Sequence, residues 1–346
     1  MVSHEYVANG LRLEHTGQLN RELDMPKITQ QYVQAPPFCL QVELCEGCNL
    51  RCSFCGLNGI RGKANDLKFM TLDLAKVLIE QIKESKWNSR IEFAMHGEPS
   101  LHPDLVKIVS LFRKGLPKKT HLMMTSNGGG FLRSPTELID GVLINLNVLA
   151  LDAYENVNIV PKILEKYTGV FKPKHYPKDK QANPHQRRAE GEHDLVIVQD
   201  ISEATKGTHS SLNNHCGCGA PLNDSAQGKR CAKPFREMSI RWDGSIALCC
   251  NDWTGVYKCG NIQYKSIVDI WQGPEFQAAR RKLYHGLRDF GACKGCDALS
   301  YRPGLLPDQR GNDSLPLPSP RDEAVIAKAV AGKTYTLPVL RDWQKV

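Results

Sequence analysis

The apolar residues of this chain come in short clusters whose spacing switches repeatedly between strand-like and helix-like. FCLQVEL at 38–44 has strand character and runs straight into a cysteine-rich loop. From Met70 to Ser85 apolar residues recur at helical spacing, with Thr71 as N-cap and Asp73 in the first turn. RIEFAM at 90–95 then reads as strand, 103–113 as helix, HLMMT at 121–125 as strand, 134–139 as a short helix and VLINLNVL at 142–149 as strand. Asp194 to Val198 is the last strand of this half. Strands alternating with helices predict a parallel sheet with helices outside. Polar motifs fall just after the strands, where a barrel of this class carries its site.

Two stretches depart from that pattern. Residues 162–193 are poor in apolar residues and carry Lys162, Lys172, Lys174, His175, Lys178, His185, Arg187 and Arg188, and they read as a loop-rich insertion before the last strand. Such a run is ordinarily a solvated face, and on the rim of a site it also attracts phosphates. Further on, MSIRWDGSIAL at 238–248 alternates about Asp243-Gly244 and predicts a β-hairpin, with a helical stretch from Ile267 to Gly286 after it. The expected division is an N-terminal extension at 1–37, an α/β unit at 38–205, a small α+β domain built on the hairpin at 206–302 and a proline-rich tail at 303–346.

Composition adds less. The 346 residues, 41% hydrophobic and 24% charged, suit a globular protein with one large core and a smaller one. A formal net charge of +8 favours an anionic partner without requiring one. With no signal-peptide pattern and no apolar run long enough to cross a bilayer, the thirteen cysteines predict a reducing, cytoplasmic setting and no membrane partner.

The cysteines change the picture. Cys48, Cys52 and Cys55 are spaced C-x3-C-x2-C on one short loop, so three thiolates converge and a fourth coordination position stays open. A 4Fe–4S cube ordinarily takes four cysteines, so three leave one iron for an outside ligand. Cys45 with Cys48 and Cys52 with Cys55 also form two CxxC pairs, but zinc ribbons separate such pairs by roughly 15–20 residues. The loop resembles that of the radical S-adenosylmethionine (SAM) superfamily, which has an aromatic just before the last cysteine, as Phe54 is here. That resemblance implies a partial (β/α)6 TIM-like barrel, a 4Fe–4S cluster on these three cysteines, SAM on the unique iron, and reductive cleavage of SAM to a 5'-deoxyadenosyl radical. It also implies cofactor contacts from Phe54 and from Gly97, Glu98 and Pro99, which resemble the family's GEP motif with His96 where a second glycine is common. Ser126 and Asn127 resemble the ribose-contacting strand end, a glycine-rich turn being the plain alternative. Asn145 and Asn147 share one face of the expected strand and are candidates for SAM or substrate contact, against a role as hydrogen-bonded core amides.

A second constellation follows. Cys231, Cys249, Cys293 and Cys296, with the CCND run at 249–252 and Gly260-Asn261-Ile262, resemble the C-terminal SPASM/Twitch region of radical SAM enzymes. The implied ligands of an auxiliary 4Fe–4S cluster are those four cysteines; a structural zinc site fits their spacing alone. Position 302 is Arg302 and no cysteine follows, so one auxiliary cluster is implied, with Cys216 or Cys218 close enough in sequence to replace a ligand. The implied enzyme draws electrons from an external reductant such as flavodoxin or ferredoxin and abstracts hydrogen from a substrate C–H bond. Asp252 or Cys250 is the expected acid or base between the clusters, against a role in supporting the cluster. The substrate stays open between a peptide and a small molecule, with a nucleobase in DNA or RNA as the alternative. The reading from another class is a non-catalytic iron–sulfur or zinc-stabilised binding protein.

Overall fold

The structure, a computed structural model, describes residues 36–60, 66–152, 159–166, 174–176, 188–198, 213–219, 226–229, 231–284 and 286–298. Residues 1–35, much of the basic segment and the 303–346 tail lie outside the described residues.

The chain enters on β1 (Cys39–Val42) and β2 (Cys45–Glu46), then passes the cysteine loop and the short α1 (Leu57–Ile60) to reach β3 (Lys68–Phe69). Antiparallel pairing of β2 with β3, Cys45 opposite Phe69, closes the base of that loop. In α2 (Leu72–Ser85) the expected cap forms, with Thr71 Oγ1 accepting from Leu74 N at 3.1 Å. β4 (Arg90–Phe93), α3 (Leu105–Gly115), β5 (Leu122–Ser126), α4 (Gly129–Arg133), α5 (Thr136–Leu143) and β6 (Val148–Asp152) follow in order. α6 (Ile159–Lys166), β7 (Lys174–Tyr176) and β8 (Asp194–Val198) complete this half. Its long sheet strands run parallel in the order β1-β4-β5-β6-β8-β7, the α/β partial barrel expected from the alternation.

Two expectations need correction. Residues 142–149 are not one strand: Val142 and Leu143 end α5, and β6 starts only at Val148. Ile139, Val142, Leu143 and Leu146 are all buried, and their i, i+3, i+4, i+7 spacing continues the helical face, while the alternating asparagines imitate a strand period. Nor is the basic segment all loop. Lys174–Tyr176 forms β7 beside β8, a strand too short and too polar to announce itself.

The second half opens with α7 (Lys233–Arg236), β9 (Glu237–Ile240) and β10 (Ser245–Ala247), followed by β11 (Lys258–Asn261), α8 (Ile267–Trp271) and α9 (Pro274–Tyr284). The predicted hairpin is present: Gly244 takes φ 79° and Arg241 N donates to Ser245 O at 2.8 Å. The helical stretch breaks where Pro274 begins α9. β9 pairs parallel with β1, Cys39 beside Glu237, so the hairpin extends the barrel sheet to nine strands. Alternate strand residues such as Leu40, Phe93, Met124, Leu149 and Ile240 pack under the helices in one continuous core.

Gln81 on α2 stitches the two halves. Buried at 3% exposure, it donates from Nε2 to Ile262 O at 2.8 Å and accepts at Oε1 from Ile267 N at 3.0 Å. Gln81→Ala strands a buried carbonyl and a buried N–H, each worth about 1–3 kcal/mol. A clear loss of stability by denaturant titration is expected; an unchanged midpoint contradicts the suture.

Candidate active site

Three strand ends meet at the cysteine loop. After β4 the backbone turns through Met95, whose φ of 96° is unusual for a residue with a side chain and stores strain of about 1–3 kcal/mol. The turn brings Gly97 into a parallel bridge with Gly47, and Glu98 N donates to Gly47 O at 2.9 Å. A Cβ at Gly97 would lie 1.9 Å from Cys45 O, so this contact admits only glycine.

Glu98 is 2% exposed and fully engaged. Its Oε1 accepts from Ser100 N at 2.8 Å and from Ser126 Oγ at 2.5 Å, and its Oε2 accepts from Asn127 N at 2.7 Å. Burial still holds this carboxyl above the usual carboxylate range, against the pull of those donors. Asn127 in turn donates from Nδ2 to Cys48 Sγ at 3.2 Å and to Asn49 Oδ1 at 3.1 Å. Leu50 N adds a second donor to Cys48 Sγ at 3.3 Å. Two N–H groups aimed at one sulfur suit a thiolate, and the partly exposed Cys48, Cys52 and Cys55 fit a cube open to an outside ligand. Cys45 is different: its buried thiol points at the Glu46 and Gly47 carbonyls, and burial pushes its pKa up to about 12.

His96 fills the place of the family's second glycine. Fully buried, it sets Nδ1 3.0 Å from Glu43 Oε1, off the line of a hydrogen bond, and Nε2 2.9 Å from Cys250 O. The ring packs on Trp253 at 4.5 Å, and Trp253 packs on His215 at 4.9 Å. His215 hydrogen-bonds the Phe54 carbonyl inside the cysteine loop. A Cβ at Gly56 would lie 2.6 Å from the Trp253 ring, so the bridge rests directly on the residue after Cys55. Sequence reasoning missed His215, Trp253 and Glu43; only the departure at His96 pointed here.

Cys231, Cys249, Cys293 and Cys296 converge as expected, all buried at 6–8% exposure. Burial pushes the Cys249 and Cys293 thiols far up, and neighbouring sulfurs push further. Sulfurs that oppose one another's ionisation suit a site whose positive metal centre draws the protons off. Among the described residues no three metal-ligating side chains close around a single ion, so the wider spacing of a cube fits these thiols better than the zinc alternative.

Other expected residues fall elsewhere. Pro99 starts a short turn under Glu98, and Phe54 is partly buried in the loop. Asn145 and Asn147 sit before β6, at the opposite end of the sheet, where Asn147 Oδ1 accepts from Leu122 N at 3.0 Å and Arg113 Nη2 at 2.8 Å and Asn145 Nδ2 donates to Gly141 O at 2.8 Å. They are the core amides of the alternative. The polar residue at the upper end of that strand is Asp152, partly exposed and one register step past Ser126 and Leu151. Asp252 is wholly buried and spends its carboxylate on Val256 N at 3.1 Å and Tyr257 N at 2.9 Å, organising a loop. The Cys250 thiol faces Lys233 Nζ at 3.3 Å, and Lys233 lies 3.1 Å from Glu237 Oε2. Neither keeps the free basic atom expected of it.

The description "Radical SAM superfamily" matches residues 42–170, and that of the SPASM iron–sulfur cluster-binding domain matches residues 231–297. The chain belongs to the radical SAM superfamily. The S-adenosyl-L-methionine-dependent 2-deoxy-scyllo-inosamine dehydrogenase of Niallia circulans is 23% identical over 264 residues, spanning 76% of this chain and 94% of that protein. The crystal structure of BtrN with AdoMet and 2-DOIA shares the fold at a TM-score of 0.55 and 20% identity, covering 77% of this chain and 95% of that one. An open conformation of BtrN gives 0.51 and 19%, over 77% and 94%. A radical SAM enzyme carries a 4Fe–4S cluster and SAM, and the SPASM domain adds a further iron–sulfur site. It needs a reductant and a substrate. Among the described residues no helix is long and apolar enough to cross a membrane.

His215 offers a check on the bridge. Burial lowers its pKa to about 4, against the pull of the Phe54 carbonyl, from an ordinary value of 6.5. A depressed histidine contributes stability that is whole above its unfolded pKa and is lost as pH falls towards the folded one. Between pH 6.5 and about 4 the anaerobic holoprotein should therefore lose stability more steeply than its His215→Gln variant. Equal slopes in denaturation midpoints against pH contradict the placement.

Proposed function

We propose that this enzyme oxidises a small polyhydroxylated molecule by abstracting hydrogen from a carbon that bears a hydroxyl group. The observation that carries the reading is the inner face of the barrel sheet. Met123, Val148, Ala150 and Val196 close one part of it as a separate apolar cluster, while the positions that stay partly accessible include Gln41, Thr125 and Asp152, all able to hydrogen-bond hydroxyls. The Niallia circulans relative, named as a dehydrogenase of an amino-cyclitol, supports the same chemical class.

In this reading Cys48, Cys52 and Cys55 hold the cluster that SAM joins, with Phe54, Gly97, Glu98, Pro99, Ser126 and Asn127 shaping the SAM site. Cys231, Cys249, Cys293 and Cys296 hold the one auxiliary cluster, and the functional division stays at 38–205 and 206–302. When bound, the reduced first cluster and SAM supply the 5'-deoxyadenosyl radical, and the auxiliary cluster supplies an electron acceptor. The substrate carbon loses a hydrogen atom, and the hydroxyl then loses its proton as one electron leaves, giving a carbonyl. Asp152, at a strand end level with Ser126, is the carboxylate we assign to take that proton, in place of Asp252 and Cys250. The reductant is a flavodoxin or ferredoxin, and the setting is the reducing cytoplasm, in keeping with thirteen cysteines none of which is paired. A nucleic-acid substrate rested on the basic segment around Lys172 to Arg188, most of which lies outside the described residues.

The test is a panel of amino-cyclitols and sugar alcohols deuterated at the carbinol carbon, with peptides and oligonucleotides alongside. Deuterium in 5'-deoxyadenosine together with a new ketone is expected from the first group; turnover confined to peptide or nucleic acid refutes the reading. Cys52→Ala should make no 5'-deoxyadenosine. Asp152→Asn should retain substrate-triggered SAM cleavage while ketone formation falls roughly tenfold or more, on the scale of general-base loss. Equal ketone yield in Asp152→Asn removes the base assignment alone.

A further inference from the structure

A fifth thiol stands at the auxiliary site. The segment 213–219 lies between the two cysteine constellations and touches both. On one side Asn214 ties it to the closing CxxC: its N donates to Asp297 Oδ1 at 2.7 Å, its Nδ2 donates to Gly295 O at 2.8 Å, and its Oδ1 accepts from Asp297 N at 3.3 Å. On the other side His215 reaches the Phe54 carbonyl, and a Cβ at Gly59 would lie 2.6 Å from Cys218 O. His215 and Cys216 both take left-handed backbone angles, φ 50° and 55°. Pinned in this way, the Cys216 thiol hydrogen-bonds the Cys296 sulfur and sits beside Cys249 and Cys293.

We propose that Cys216 is not a ligand of the auxiliary cluster but a protonated thiol that hydrogen-bonds the Cys296 ligand sulfur and raises the cluster's reduction potential. The inference rests on the auxiliary-cluster reading of Cys231, Cys249, Cys293 and Cys296. Three observations separate Cys216 from those four. It is partly exposed where they are buried, it lies outside the 231–297 match, and four thiolates already complete a cube. Hydrogen bonds to cluster sulfurs stabilise the more negative, reduced state, and so raise the potential. Cys216 occupies the rim that faces the first cluster's loop, because its neighbours His215 and Cys218 contact Phe54 and Gly59. A donor there makes the auxiliary cluster a better acceptor for an electron leaving a substrate bound between the two sites. Cys216 is thus a positioning residue, acting through Cys296.

The experiment compares anaerobically reconstituted wild type, Cys216→Ala and Cys216→Ser by iron and sulfide content and by EPR-monitored redox titration. Wild type and both variants should carry about eight irons, two cubes of four. The auxiliary midpoint potential should fall in Cys216→Ala and return towards wild type in Cys216→Ser, which keeps a donor. Loss of about four irons in Cys216→Ala would make Cys216 a ligand, and an unchanged potential would remove its hydrogen bond from the account; either result overturns the proposal. If wild type itself binds only about four irons, the auxiliary-cluster reading fails and takes the proposal with it, an outcome visible before any variant is made.

Discussion

A carboxylate buried without water holds the centre of this molecule together. Desolvating Glu98 is costly, and the cost is offset because Ser100, Ser126 and Asn127 all donate to it. Those donors come from its own turn and from the end of β5, so the carboxylate fixes two strand ends against each other. Asn127 then passes the constraint to Cys48, and the side-chain-free Gly97 passes it to the backbone of Cys45 and Gly47. Shifting any one of these contacts moves the thiol loop.

The auxiliary half is built onto the same frame. β9 extends the barrel sheet beside β1, Gln81 spans from α2 to the backbone before α8, and His96 meets the Cys250 carbonyl. Arg241, on the hairpin turn, pairs with Glu46 on β2 and lies 3.4 Å from Glu43 Oε2. The second set of cysteines therefore stands at a fixed position relative to the first. A tethered domain with its own separate sheet would leave that spacing to a linker, whereas a shared sheet sets it by hydrogen-bond register.

Much of this was legible in the sequence because the signals were local. The cysteine spacing, the cap at Thr71, the Asp243-Gly244 hairpin and the strand at 194–198 each depend on a few adjacent residues, and each appears where its pattern lies. The strand at 142–149 failed because two periods overlap there, and the helical one had the buried residues. That register error displaced the strand-end polar residue from Asp152 to Asn145 and Asn147. Asp252 resembled a catalytic acid because it follows a ligand, yet its lone pairs serve backbone amides that no sequence pattern marks. His215 and Trp253 were invisible for another reason. Their role comes from contacts across long sequence separations, His96 to Trp253 and His215 to Phe54, with no motif of their own.

The central claim is that three thiols on one loop leave an iron that SAM completes, at the place where Gly97, Glu98 and Asn127 have been drawn together. The most direct measurement is electron–nuclear double resonance on the reduced, reconstituted protein with SAM labelled with nitrogen-15 at its amino group. A hyperfine coupling between that nitrogen and the cluster is predicted, absent when the three loop cysteines are replaced together. No coupling in the parent protein, despite a fully loaded and reduced cluster, would contradict the account.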